Sequence, residues 1–559
     1  MQMLLQLRIY LKGVEIMRQM NEEQLEAVMS NERKILCLAG AGTGKTTCML
    51  ERIDRLVHKK VNPLSILVLT FTNAAAFEMQ DRYCRDHSSK LVPTFRTFHS
   101  FCYYVLATNI EVRRLLGYSN IPQIADEFDL KEIYRQAQTK TGIRYSFDSL
   151  MKKPAKSKNE EFEYVTLKKM IDKELIGRNL ITFDKLCTEI CNLFVSDHDA
   201  IQQYKQQYEY IFVDEFQDTD ATQYDFITSF TSARLFVVGD ALQAIYGFRG
   251  ADSSIIKSLA VDPSWYTIKL YRNYRSSSRI CTFANLNSTY ADDSFRVAIE
   301  SSSNDDTDFP VVEWFFTDRS YLSSVSSIVL DSCFEYIHNH PGSAAVLCRT
   351  NKEVDAVQKY CDAANIHYET NKNDTDMLNV LISAGDNDYL MRWLSSYLDT
   401  DKYAKYIRVR TLAIDNNVVY DLSSFLNDFK QIPAIDNRWM LVKFIRNICM
   451  QQDLSEIQRG QRILNVFGYP NIMLDETHCT TMRNTLDYLI ELYQQGIETT
   501  SSTLHIGTIH SVKGLEFDNV CILGVDGASF KLDNEENKNL YYVAITRAKK
   551  HLMVFRKGK

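Results

Sequence analysis

At 559 residues the chain is too long for one hydrophobic core, so two to four domains are expected. Its 45% hydrophobic and 24% charged residues fit a folded globular protein, and a formal net charge of -7 excludes a surface coated with positive charge. Any contact with nucleic acid must come from a localised basic or aromatic track, and 9 prolines and 20 glycines leave little room for long flexible linkers.

In chain order, the opening "MQMLLQLRIYLKGVEIM" carries a short apolar stretch broken by Arg8 and Lys12, with no small-residue cleavage site. Neither a signal peptide nor a membrane span is expected there. The segment reads as an added strand or helix, or as an upstream start that the cell does not use. Next, "RKILCLAG" reads as a buried strand and "GKTTCMLERIDRLV" as a helix with apolar residues at helical spacing. Between them Gly40, Gly42 and Gly44 let the backbone fold around an anion with its N–H groups pointing inward. Lys45 is placed to neutralise the outer phosphates of a nucleotide, and the Thr46 hydroxyl to ligate Mg²⁺. Ala39 stands at the first glycine position of the usual GxxxxGK[ST] pattern.

The thirteen cysteines are scattered, and the one close pair, Cys187 and Cys191 in "FDKLCTEICNLF", has no second pair to complete four metal ligands. A helix there carries both on one apolar face, so they read as core residues of a reduced, cytoplasmic protein. In "YEYIFVDEFQDTD" an apolar strand from Tyr208 to Val213 ends in Asp214 and Glu215. Paired with the phosphate loop, Asp214 is expected to hold Mg²⁺ and Glu215 to orient and deprotonate the attacking water. "RLFVVGDALQAIYGFRGA" is another buried strand, with Gln243 at the place of a γ-phosphate sensor and Tyr246 and Phe248 in the turn that follows. "LYRNYRSS" offers Arg275 and "NLYYVAITRAKK" offers Arg547, two arginines far in sequence from the loop. That spacing predicts a nucleotide clasped between two domains. "NKND" at Asn371 to Asp374 matches a guanine-reading tetrapeptide, but more than three hundred residues separate it from the phosphate loop and its surroundings read as a polar loop.

Nine segments in order, "MNEEQLEAV", "AGAGTGKT", "VLTFTNAAAFEM", "TFHS", "VDEFQDT", "GDALQAIYGFRGA", "NYRS", "TIHSVKGLEFDNV" and "YVAITRA", make the chain resemble a superfamily 1 DNA helicase of the UvrD/Rep type. The likeness runs from about residue 20 to residue 550. It implies an α/β fold with two RecA-like P-loop motor domains, each a parallel sheet carrying a mainly helical insertion. The first motor would take 17–105 and 181–275, with 106–180 as its insertion. The second would take 276–390 and 501–559, with 391–500 as a reduced insertion.

The resemblance also implies an ATP and Mg²⁺ site lined by Gln24, Ala39, Gly40, Ala41, Gly42, Thr43, Gly44, Lys45 and Thr46. Gln24 would read the adenine edge, Tyr274 would stack on its ring and Glu516 would lie near the ribose. Arg275 and Arg547 would serve as the inserted arginines. Single-stranded DNA would run over Phe71, Thr72, His99, Tyr246 and Phe248, aromatic faces being able to stack on any base. The implied activity is ATP-driven 3′→5′ movement on single-stranded DNA, with strand junctions as substrates and repair as a setting. The short second insertion and compact relatives in Gabija-type antiphage systems keep a second expectation open, a DNA-sensing ATPase that regulates a partner nuclease in antiviral defence. Thr47 and Lys538 stand where many members carry arginine, and with twelve residues after Arg547 no fused nuclease is expected.

Overall fold

The computed structural model describes residues 20–86, 91–125, 127–143, 158–303, 311–316, 327–364 and 504–558, and between 366 and 495 shorter pieces, of which the longest are 421–429, 432–451, 453–466 and 479–495. The opening apolar stretch and the Asn371–Asp374 tetrapeptide lie outside the described residues.

Several apolar runs in the first half become strands of one six-stranded parallel sheet, whereas "FCYYVLA" lies in the helix Phe98–Thr108. The sheet order is Thr94–Thr97, Ile66–Thr70, Tyr210–Val213, Arg234–Gly239, Lys34–Ala39, Tyr266–Leu270. Strands buried on both faces lose the alternation of a half-exposed sheet, which is why "ILCLA" and "ILVL" read as unbroken apolar text. Parallel neighbours require crossovers, and the first is the helix Lys45–His58. It buries Cys48, Met49, Arg52, Ile53 and Leu56, the helical spacing seen in its sequence. A second parallel sheet has the order Val311–Phe316, Ala548–Lys557, Phe517–Val525, Ala344–Cys348, Leu504–Thr508.

Both sheets belong to one compact unit, residues 1–112, 187–369 and 501–559. A shared apolar cluster joins them, with Ala41, Leu242 and Ile245 beyond strand ends of the first and Leu347, Val520 and Ile522 in strands of the second. The second unit, residues 113–186 and 370–500, is mainly helical where described, with one short parallel pair of strands, Gln123–Ile124 and Leu180–Ile181. In it Glu127–Thr141 packs on Lys158–Gly177 through Ile133, Ala137, Leu167 and Leu175. Helices from Asn387–Ser395 to Met482–Gln495 enclose Leu394, Phe425, Ile445, Ile463 and Leu489.

Open α/β sheets place their working residues beyond the carboxyl ends of the strands. Here those ends carry Gly40, Phe71, His99, Asp214, Asp240 and Asn273 together on one edge of the first sheet. Among the described residues no helix is long and apolar enough to cross a membrane.

Candidate active site

The glycine-rich turn between Ala39 and Lys45 is held from outside, one carbonyl at a time. Thr43 Oγ1 donates to the Gly40 carbonyl at 2.8 Å, and Asn273 Nδ2 donates to that of Ala41 at 2.7 Å. The Tyr274 N–H takes the Gly42 carbonyl at 2.8 Å, and Gln24 Nε2 takes that of Thr43 at 3.0 Å. In a planar trans peptide the C=O and the following N–H point in opposite directions, and this chain has no cis bond among its described residues. Fixing the carbonyls of Ala41, Gly42 and Thr43 therefore turns the N–H groups of Gly42, Thr43 and Gly44 away from those anchors, as a nest for an anion at the N-terminus of helix Lys45–His58. Gly42 (φ +68°) and Gly44 (φ +81°) adopt left-handed backbone that favours glycine. Ala39 needs no such freedom, because it is the last strand residue, paired in register with Leu270.

Asp214 and Glu215 follow the strand Tyr210–Val213. Successive side chains of a strand face opposite ways, but Glu215 takes a left-handed conformation (φ 49°, ψ 41°) that turns the chain at that point. Burial first, and then the neighbouring Glu215 carboxylate, push the Asp214 carboxyl up. Burial alone would also raise Glu215, but Lys45 and Lys513 outweigh it and hold that carboxyl well below its ordinary range. Oδ1 of Asp214 is buried without a hydrogen-bond partner, as suits an oxygen that meets a cation. Among the described residues no cluster of three or more His, Cys, Asp or Glu is placed to hold a metal. Thr46 and Asp214 are the residues that would hold a Mg²⁺ ion here, which would supply counter-charge to phosphate oxygens.

A chain of polar groups then leads from Glu215 to the second sheet. Gln217 donates to the Glu215 carboxylate and accepts from the Asp240 N–H at 2.9 Å. Gln243 Nε2 donates to Asp240 Oδ2 at 2.7 Å, and Gln243 Oε1 lies 3.4 Å from Arg547 Nη2. Arg547 is 2% exposed, and its guanidinium also donates to the carbonyls of Val543 at 3.0 Å and Leu515 at 3.2 Å. Burial, and then the nearby Arg275, bring the Arg547 guanidinium down to about 9, so it remains charged at neutral pH. Arg275 abuts the phosphate loop: a Cβ added to Gly42 would come within 2.7 Å of its Cβ. Its Nε donates to Glu516 Oε2 at 2.6 Å and its Nη1 to the Thr546 carbonyl at 3.1 Å.

The site residues expected from sequence are thus largely gathered, with two differences of detail. Gln24 has its amide engaged by the loop and by Asn21, whose N–H it accepts at 3.3 Å, as one half of a capping box. Glu516 holds Arg275 and Lys549. Tyr274, 50% exposed, accepts from Asn21 Nδ2 at 3.1 Å, so its ring and Gln24 share one corner of the loop.

Phe71 and Tyr246 stack with ring centroids 5.7 Å apart and planes 7° from parallel. Phe248, 63% exposed, lies 6.1 Å from Tyr246 and 5.5 Å from His510. Thr72 is exposed at the start of helix Asn73–Asp86, where its Oγ1 accepts from the Ala75 N–H. His99 hydrogen-bonds Cys187. Cys187 also hydrogen-bonds Cys102, while Cys191 is buried beside them.

Lys513 and His510 escaped the sequence reading. Lys513 ion-pairs Asp218, donates to the Gln243 carbonyl at 3.1 Å, and lies 4.0 Å from Glu215 Oε2 and 4.9 Å from the Tyr246 ring centroid. One ammonium group therefore touches both the acid cluster and the aromatic run. Its place in "SVKGLEF" gave a signal only in the quoted run itself, since Asp218 lies 295 residues away.

The UvrD/REP helicase N-terminal domain matches residues 20–264, and the UvrD-like helicase C-terminal domain matches residues 399–557. A probable DNA helicase II homolog of Mycoplasma genitalium is 27% identical over an alignment covering 96% of this chain and 84% of the relative. The ATP-dependent DNA helicase PcrA of Staphylococcus epidermidis is 27% identical over 96% of this chain and 83% of its own length. PcrA of Staphylococcus aureus gives the same identity and coverage. The chain belongs to the UvrD/Rep family of superfamily 1 helicases, which are ATP-dependent DNA helicases.

Proposed function

We propose that this chain is a 3′→5′ translocase on single-stranded DNA that opens duplex at a strand junction, and that it hydrolyses ATP with Mg²⁺ in the cleft between its two parallel sheets. The observation that carries this reading is the convergence of charge from both sheets. The loop Gly40–Lys45 and Glu215 come from one, Arg547 from the other, and Arg275 lies against Gly42 between them. The loop N–H groups and Lys45 bind the triphosphate, and Glu215, kept ionised, draws the proton from water. Gln243 and Arg547 meet the charge that develops on the terminal phosphoryl oxygens. Mg²⁺, held by Thr46 and Asp214, supplies neutralisation of the phosphate oxygens. Tyr274 stacks on the base, and Glu516 exchanges its hold on Arg275 for a place near the ribose.

Phe71, Thr72, Tyr246 and Phe248 form the track, with His99 at its flank. The stacked pair Phe71–Tyr246 offers a flat face to the next base. Motor domains of 17–105 with 181–275 and of 276–390 with 501–559, with insertions between, suit this assignment.

The test is strand separation by the purified chain alone. A duplex with a 3′ tail should open with ATP and Mg²⁺, and one with a 5′ tail should not. The reverse preference removes the polarity. An ATPase stimulated by single strands but without unwinding favours the regulatory reading, and no stimulation removes the motor. For the track, Tyr246→Ala should weaken single-stranded DNA binding by about 5- to 150-fold, the equivalent of one base–aromatic stack at ~1–3 kcal/mol. Anisotropy with a labelled oligothymidine at fixed salt measures this, and an unchanged affinity in a folded variant takes Tyr246 off the track.

A further inference from the structure

We infer that Asn273 is the positioning residue that aims the phosphate loop and Arg275 at the same nucleotide. The inference rests on the ATP site proposed above. Asn273 is fully buried and its side-chain amide is used at both ends. Its Nδ2 donates to the Ala41 carbonyl at 2.7 Å. Its Oδ1 accepts from the N–H groups of Arg275 at 2.8 Å and Ser276 at 2.7 Å. An asparagine amide has one acceptor end and one donor end, and here the donor end serves the loop while the acceptor end sets the backbone that carries the arginine.

The neighbouring bonds make this amide the centre of a strap. On one side Gly40 N–H donates to the Leu270 carbonyl and Tyr274 N–H donates to that of Gly42. On the other side Ser276 Oγ donates to the Ala548 carbonyl at 2.6 Å, the Ser277 N–H to that of Lys549 at 2.9 Å, and Arg275 Nη1 to that of Thr546. Residues 270–277 thus join the phosphate loop to the segment that begins just before Arg547. Space enforces the fit: a Cβ on Gly42 would come within 2.8 Å of Asn273 Nδ2 as well as 2.7 Å of Arg275 Cβ. Because the Ala41 carbonyl is fixed by Asn273, the Gly42 N–H is aimed by it too. The same side chain therefore sets a phosphate donor and the start of an arginine that answers the phosphate charge. No other side chain among the described residues bonds both segments at once.

Two substitutions separate the two ends. Asn273→Asp keeps an oxygen to accept from Arg275 and Ser276 but cannot, when ionised, donate to Ala41, and sets a negative charge behind the loop. Asn273→Ala loses all three bonds. With the full-length chain, calorimetric titration with MgADP reads the loop, and the saturated ATPase rate with single-stranded DNA reads the arginine. The aspartate variant should bind MgADP about 10-fold or more weaker, the size expected for one lost hydrogen bond next to a charge, and should lose less of its saturated rate than of its affinity. The alanine variant should lose both affinity and saturated rate, the latter by about 10-fold or more. Melting curves establish that each variant is folded at the assay temperature. Unchanged MgADP affinity in the aspartate variant, or the same division between affinity and rate in both variants, overturns the inference. If the parent chain neither binds MgADP nor hydrolyses ATP, the proposed function fails instead.

Discussion

Lys45→Ala should leave no ATP hydrolysis above background, with or without single-stranded DNA. The ammonium group of Lys45 pulls against burial at four carboxyls around the site, Asp214, Glu215, Asp218 and Asp240. Two opposite charges ~4 Å apart at an effective dielectric of ~20 interact by about 4 kcal/mol. Withdrawing that much from the transition state slows a reaction by about a thousandfold. Two effects add to this: the triphosphate loses a counter-charge, and Glu215 loses one of the three cations, with Lys513 and Arg547, that keep it ionised beside Asp214. Phosphate release measured on the variant, with a melting curve to show it is folded, checks the expectation. Persistent hydrolysis in a pure preparation means that the reaction runs at another site.

Arg547→Ala should keep nucleotide binding and lose turnover by about 10³-fold or more, the range reported by inserted arginines in phosphoryl transfer. The structure adds a complication that sequence did not foresee. Arg547 is buried and its guanidinium donates to the carbonyls of Val543 and Leu515, so truncation removes a donor from each, although Thr546 Oγ1 still reaches the Val543 carbonyl. A stability loss of about 1–3 kcal/mol is expected alongside the kinetic one. Arg547→Lys separates the two: it keeps a cation in the pocket but not the fork that reaches Gln243 and the two carbonyls together. It should bind MgADP as the parent does and remain far below the parental rate. A lysine variant with the parental rate would remove the arginine from the chemistry.

Strands of the first sheet were legible because parallel strands covered on both faces become uninterrupted apolar runs, as in "ILCLA" and "LFVVG". The residues at their carboxyl ends were legible for a local reason as well: loop, acid pair and sensor each follow a strand within a few positions. What could not be read was pairing at a distance. Asn273 meets Ala41 across 232 residues and Lys513 meets Asp218 across 295. Nothing in the local text of either partner marks such a bond, because the topology of the sheets creates it. Gln24 shows the other limit. Its residue type fits a base-reading amide, but the local text does not show that the capping box of its own helix and the Thr43 carbonyl also take one lone pair and one N–H of that amide. The left-handed turn at Glu215 answers how two adjacent strand-end acids reach one cleft, which alternation alone argued against.

The anchored carbonyls of the phosphate loop have a thermodynamic consequence. A cradle whose peptide planes are fixed by Thr43, Asn273, Tyr274 and Gln24 has already given up its conformational freedom during folding of the chain. Little of the free energy of nucleotide capture is then spent on ordering its own receptor. Under the proposed function, more of it is left over to draw Arg275 from the ion pair with Glu516, a change that can be passed on as displacement.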